Sequence, residues 1–252
     1  MDYVGTFKDG STRNYTYYYD YDTYTSLCVA YPLYSGTFGS GYSASWKKNT
    51  NVPDAYQVNC WTYSYSVTYG ETDWENPTGS EYYARGHQIP NADRSGNETM
   101  QSQTYYATNS TPQIQNKFNA SIWSELEGDV RTEAAATDTV YVITGATFQK
   151  AGGIESITYI HPRADEGKNV PVPNYYWKAL LKVKWSGSEV TSASAIGVWI
   201  PHQQYNSNDY SAYITSVDQI ETWLGYDLFV NLPTSLQTTA EANTSWSTFH
   251  SF

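Results

Sequence analysis

The sequence predicts an α+β domain in which strands alternate with a few helices, and three features carry that expectation. The 252 residues include 26 tyrosines and 9 tryptophans, and aromatic side chains favour pleated, half-buried surfaces. Several short runs are apolar and β-branched with no helical period, as in TVYVIT at 139–144. One long stretch, 113–136, repeats apolar residues every fourth position (Ile114, Phe118, Ile122, Leu126 and Val130), as an amphipathic helix does.

From the N-terminus, residues 1–26 are polar and dense in tyrosine (Tyr15, Tyr17, Tyr18, Tyr19, Tyr21), again without a 3.6 period. They read as an edge strand or an ordered arm, and the tyrosine count as a whole reads as β-rich surface. Residues 27–34 (LCVAYPLY) read as a buried strand stopped by the glycine and serine loop at 35–41. At 61–69 (WTYSYSVTY) aromatic and small polar residues alternate, the pattern of a half-buried strand. A loop rich in Gly, Asp, Asn and Pro follows at 70–80. Beyond the helix, 139–144, 176–183 (YWKALLKV) and 195–200 (AIGVWI) read as core strands. Residues 217–224 (VDQIETWL) form a short amphipathic helix with Ser216 as its N-cap. No internal repeat interrupts this order, so a single domain over 1–252 is expected.

The formal net charge is −11 and the sequence pI is about 4.7. That balance counts against a basic footprint for a polyanion. A nucleic-acid partner would need a divalent cation and a locally basic cleft. No window reaches 18 consecutive apolar residues, so no transmembrane helix is encoded and no membrane partner is expected. Met1-Asp2-Tyr3 lacks the charged and apolar regions of a signal peptide, so an exported protein would be represented here by its mature part. Cys28 and Cys60 have no CxxC neighbour and no histidine cluster, which argues against zinc. Two cysteines in a chain rich in Tyr, Asn, Ser and Thr predict one disulfide and a secreted or periplasmic protein. Two buried thiols are the alternative.

The residues with chemical content are concentrated at 83–94 (YARGHQIPNADR) and 108–127 (TNSTPQIQNKFNASIWSELE). Arg85 and His87 stand two apart, which on a strand puts both on one face. A guanidinium that grips phosphate beside an imidazole that takes a proton is a workable hydrolytic pair. Gly86 between them permits close approach. On the helix, Asn119 and Glu127 are eight residues apart, a rise of about 12 Å and a turn of about 80° beyond two full turns. Glu127 leans back toward Asn119, and two such oxygen donors suit Mg²⁺, which keeps most of its waters.

Together these segments resemble the sugar-nonspecific DNA/RNA endonucleases, the family of secreted bacterial nucleases and mitochondrial endonuclease G. That family carries an Asp-Arg-Gly-His strand, an Asn-x-x-Pro-Gln turn, and a helix with an Asn followed eight residues later by a Glu. Here the counterparts are Ala84-Arg85-Gly86-His87, Asn109-Ser110-Thr111-Pro112-Gln113, and Asn119 with Glu127. The resemblance implies a ββα-metal (His-Me) finger with its core at 81–136, set in a central antiparallel sheet flanked by helices. It implies a phosphodiester hydrolase acting on DNA and RNA with little sequence or sugar specificity, using one Mg²⁺, or Mn²⁺ in its place. His87 would be the general base and Asn119 the direct metal ligand. Glu127 would hold a water of the metal from the second shell, Arg85 would steady the phosphate, and Asn109 would support the site by hydrogen bonding.

Two departures stand out. Ala84 occupies the place of the signature Asp, with Asp93 nearby in sequence. The family's second arginine has no counterpart, and Lys47 or Lys48 is the nearest basic substitute. His161, His202 and His250 read as structural. Two other functions compete: a nuclease fold that binds nucleic acid without turnover, and a tyrosine-rich extracellular carbohydrate-binding module.

Overall fold

The computed structural model describes residues 2–75, 80–150, 153 and 155–252. In chain order the strands are β1 (Tyr3–Asp9), β2 (Thr12–Asp20), β3 (Thr25–Leu33), β4 (Tyr83–His87), β5 (Ser110–Ile114), β6 (Val140–Thr147), β7 (Thr158–Ile160), β8 (Val170–Val172), β9 (Tyr175–Ser186), β10 (Glu189–Pro201) and β11 (Ile214–Thr215). The helices are α1 (Glu98–Thr104), α2 (Ser124–Ala136), α3 (Val217–Leu224), α4 (Thr234–Ala240) and α5 (Trp246–His250). Seven strands pair antiparallel in the order β1-β2-β3-β6-β9-β10-β11, while β4 pairs with β5 and β7 with β8.

The strand period of two gives this sheet two buried faces. On one, Tyr15, Tyr17, Val29, Tyr31, Val142, Tyr176 and Leu180 pack with Phe118, Trp123, Leu126 and Val130 from the 115–136 segment. On the other, Trp177, Ala179, Leu181 and Trp199 pack with Val217 and Ile220 of α3 and Ala240 of α4. Burying each such large side chain stabilises the fold by about 1.5–3 kcal/mol. Helix α3 spans 217–224 as expected: the Ser216 hydroxyl accepts from the Gln219 amide, and Gly225 ends the helix at φ +78°.

Four expectations need correction. Residues 1–26 supply the expected edge strand, β1, but continue into β2 and the start of β3, and the tyrosines that alternate inward are core rather than surface. Tyr15, Tyr17 and Tyr19 alternate inward from β2 and are buried. Their hydroxyls are satisfied: Tyr15 donates to the Gln103 carbonyl, Tyr19 to the Tyr56 carbonyl, and Tyr17 accepts from Asn49. A buried phenol needs such a partner. Second, 61–69 is a loop with a single bridge, Thr68 to Tyr82. Third, no disulfide forms. Cys28 lies on the α3/α4 side of the sheet and Cys60 in the opposite core. Burial pushes both thiols up to about 12, so they remain protonated and inert.

The fourth correction concerns the long helix. Gln113 is the penultimate residue of β5, and π-helical turns run from Gln115 to Trp123 before α2 begins. Ala120 and Ser121 leave helical geometry, Ser121 at φ −130° and ψ −113°. Asn116, Asn119 and Ser121 are residues whose side chains compete with the helical backbone, and the Ser121 hydroxyl bonds to Asn208 at 2.6 Å. Asn119 and Glu127 therefore lie on either side of a break, not on one straight helix.

Candidate active site

Strands β4 and β5 and the helical segment that follows form a ββα unit tied together by backbone. His87 pairs with Ser110, Arg85 with Pro112 and Tyr83 with Ile114. Where β5 passes into the helical turns, the Gln115 amide bonds to the Tyr82 carbonyl. Glu81, just before β4, accepts from the amides of Asn116 and Lys117 at 2.7 and 3.0 Å. A carboxylate on these otherwise orphaned amides anchors the turn that carries Asn119. Gly86 earns its place here, because a Cβ would sit 2.3 Å from the Gln113 side-chain oxygen.

Arg85 and His87 share one face of β4, as the strand period requires, and meet the same ring. The Trp46 and His87 ring centroids lie 4.6 Å apart, and the Arg85 guanidinium lies 5.6 Å from the Trp46 centroid. Tyr105 meets His87 edge-on at 5.1 Å. The Arg85 guanidinium donates to the Cys60 carbonyl. Rings rather than hydrogen bonds hold the imidazole, whose Nε2 is shut away from solvent without a partner. Nδ1 is thus the nitrogen a reactant can reach. Burial and the Arg85 charge push His87 down to about 4, so the ring is neutral at pH 7 and able to accept a proton.

Asn109 is buried and grips the chain directly after His87. Its side-chain oxygen accepts from the Ile89 amide, and its amide group donates to the carbonyls of Ile89 and Thr104. Asn119 is half-buried and donates to Gln115 at 2.9 Å. That leaves its side-chain oxygen, unengaged among the described residues, as a donor for a hard cation. Glu127, half-buried on α2, faces a buried set of charges. Burial raises its carboxyl and lowers the neighbouring Lys178 on β9, each opposed by the attraction of the other. Arg131 reaches Asp93 at 3.1 Å, and Tyr31 donates to the same carboxylate.

Asp93 therefore does not stand in for the carboxylate missing at Ala84: it is committed to Arg131 and Tyr31. Neither lysine replaces the second arginine in the cleft. Lys47 bonds to Ser102 and lies over Tyr106, and Lys48 pairs with Asp54 on the surface. Of this segment, the side chain that meets Arg85 and His87 is Trp46. His202, read from the sequence as structural, has a structural place here. Its Nε2 accepts from the Ile114 amide and its Nδ1 donates to the Pro173 carbonyl, which fixes the end of β5 against the main sheet. Lys178 was detectable in principle, as a charge inside the apolar run of β9. Among the described residues, the acidic side chains close enough to share an ion are Asp218, Glu221 and Glu241, near α3 and α4 and outside the ββα unit.

Comparisons with known proteins agree with this geometry. The profile of the DNA/RNA non-specific endonuclease family matches residues 4–235. A nuclease of Nostoc sp. is 27% identical over 235 residues, covering 88% of this chain and 78% of that protein. Mitochondrial endonuclease G of Caenorhabditis elegans is 26% identical over 151 residues, covering 60% of this chain and 48% of that protein. Among solved structures, a chain of the EndoG/EndoGI inhibition complex superposes with a TM-score of 0.69 at 20% identity, covering 94% of this chain and 89% of that one. With the profile spanning nearly its whole length, the chain is a nuclease of the DNA/RNA non-specific endonuclease family.

Proposed function

We propose that the protein hydrolyses phosphodiester bonds of both DNA and RNA, with His87 as general base and Asn119 as the protein ligand of one Mg²⁺, for which Mn²⁺ can substitute. The observation that carries this reading is the His87 imidazole: neutral, half-buried, held between a tilted Trp46 ring and the edge-on Tyr105 ring, and two positions from Arg85 on the same face of β4. Nδ1 takes the proton of the attacking water, and Arg85 steadies the phosphate. Asn109 holds the backbone that aims the imidazole. The free side-chain oxygen of Asn119 fits a hard cation, and Glu127 accepts hydrogen bonds from water beside it. When bound, the cation supplies positive charge to the phosphate oxygens and leaving group.

Nothing in this arrangement uses the ribose 2′-hydroxyl, the group by which proteins tell RNA from DNA. Contacts to phosphate carry no direct sequence information. Family membership sets aside the carbohydrate-binding module. The presence of His87 favours turnover over binding alone.

Matched DNA and RNA oligonucleotides incubated with Mg²⁺, and in parallel with chelator, test the reading. Both should be cut at rates within roughly tenfold of each other, only with the metal, and not by Asn119→Ala. Cleavage of RNA alone to a 2′,3′-cyclic product would mean that the 2′-hydroxyl is the nucleophile and would overturn the mechanism.

A further inference from the structure

Beside the ββα unit lies a cleft of about 780 Å³, with Arg85 in its wall. Six aromatic residues line it: Trp46, Trp61, Tyr63, Trp74, Tyr82 and Tyr105. Small hydroxyl residues such as Ser45, Ser64 and Ser66 supply most of the remainder. Two of the rings, Trp46 and Tyr105, are those that hold His87, so the cleft leads directly to the proposed base. The loop at 61–66 supplies five of its lining residues. Trp61 and Tyr63 project into the cleft, whereas Tyr65 is buried in the core behind. Tyr63 is fully exposed, with a relative accessibility of 102%, a large ring that folding does not bury. At the rim, Arg163 lies 4.7 Å over the Trp74 ring.

Charge makes the lining informative. The chain carries 25 Asp and Glu against 14 Lys and Arg, yet among the described residues that line the cleft there is no carboxylate and Arg85 is the only cation. Repulsion of phosphate is removed there without a basic footprint being built. Affinity for a polyanion in this cleft must therefore come from something other than charge. Aromatic faces supply it, since every base has a π-face and stacking contributes about 1–3 kcal/mol per base. In a duplex those faces are already covered by neighbouring base pairs. The cleft falls in the size range of small-ligand pockets, enough for roughly one or two nucleotides.

We propose that this cleft is a stacking site for unpaired nucleobases, and that it directs the enzyme to single-stranded stretches in preference to duplex. The proposal rests on the nuclease reading above and adds the strand form of the substrate to it. Arg85 grips the phosphate of the strand whose neighbouring bases lie on Trp61, Tyr63 and Trp74, and this places the adjoining phosphodiester at His87.

Binding of a short oligothymidylate, an abasic strand of equal length and a matched duplex, measured by anisotropy in chelator with the intact chain, provides the test. The oligothymidylate should bind about 5–150-fold tighter than either of the others, the range that 1–3 kcal/mol of stacking gives, and should quench tryptophan fluorescence. With Mg²⁺, the ratio of single-strand to duplex kcat/KM should fall toward one in Trp61→Ala/Tyr63→Ala. The ratio should be retained in Trp61→Phe/Tyr63→Phe, which keeps the rings and separates loss of stacking from loss of fold. Equal affinity for abasic and base-bearing strands, or for single strand and duplex, would overturn the proposal. If instead neither substrate is cut by the wild-type chain in Mg²⁺, the nuclease reading itself has failed.

Discussion

At the scale of single residues, the proposed mechanism depends on a histidine kept neutral by its surroundings. Removing water from around His87 and placing Arg85 beside it both disfavour the imidazolium. A base held near 4 stays unprotonated through the mildly acidic range, so the rate should not begin to fall at pH 6.5, where a free histidine would titrate. The pH–rate profile of kcat/KM should stay level well below 6.5 and bend only toward 4. His87→Ala should lose about 10²–10⁴-fold in rate while keeping its fold by circular dichroism. A folded alanine variant with near-full turnover would remove His87 from the reaction. The residues that the proposal uses were legible in the sequence, and the fold places Arg85, Gly86 and His87 on β4, Asn109 in the turn before β5, and Asn119 and Glu127 on the helical segment after it. What was not legible is what surrounds them. Trp46 stands 39 positions before Arg85, and only the fold brings its ring over both Arg85 and His87.

At the scale of elements, the ββα unit is held by side chains that bond backbone rather than by extended pairing, since β4 pairs with β5 alone. Asn109 is the central instance. It makes three bonds to backbone atoms of Ile89 and Thr104 and accepts, through its own carbonyl, the Gln88 amide. Asn109→Ala leaves buried donors and acceptors unpaired at about 1–3 kcal/mol. It should lower the denaturant midpoint and reduce kcat more than it raises KM, because the backbone that aims His87 slackens. A variant with wild-type stability and turnover would show that these bonds position nothing. The strands at 139–144, 176–183 and 195–200 were readable because their apolar runs are long and buried on both faces. The loop at 61–69 was misread because alternation of aromatic and small residues does not require strand pairing: Trp61 and Tyr63 turn to a cleft, Tyr65 and Val67 turn to the core, and the segment is bridged only at Thr68 among the described residues. The break at Ala120–Ser121 was missed because apolar spacing reports which face is buried and is blind to a local change of helical pitch. Pairings such as Lys182 with Glu133 at 2.6 Å join residues 49 positions apart, beyond what a local pattern can show.

For the whole molecule, stability and acidity are linked through groups that folding moves away from their ordinary titration range. His202 is the clearest case, pushed down to about 4 by burial, against the Pro173 carbonyl bond that favours its charged form. Its Nε2 must stay unprotonated to accept from Ile114. The folded value lies below the unfolded value of 6.5. The unfolded chain therefore takes up the proton first as pH falls, and stability present above 6.5 is lost on the way to 4. His87 acts with the same sign. Carboxyls raised by burial work in the opposite sense: Glu241, pushed up to about 8, weakens the fold as pH rises from 4.5 through that value, and Glu127 and Glu221 are also raised. A wild-type stability curve alone sums these contributions, so the difference between wild type and a variant isolates the histidine. His202→Gln should be less stable than wild type at pH 7, where the histidine's two bonds are intact. That gap should narrow by roughly 1–3 kcal/mol between pH 6.5 and 4, read from urea midpoints at each pH. A gap that stays constant across this interval would mean that His202 titrates alike in the folded and unfolded chain, and that its bonds to Ile114 and Pro173 do not hold β5 in place.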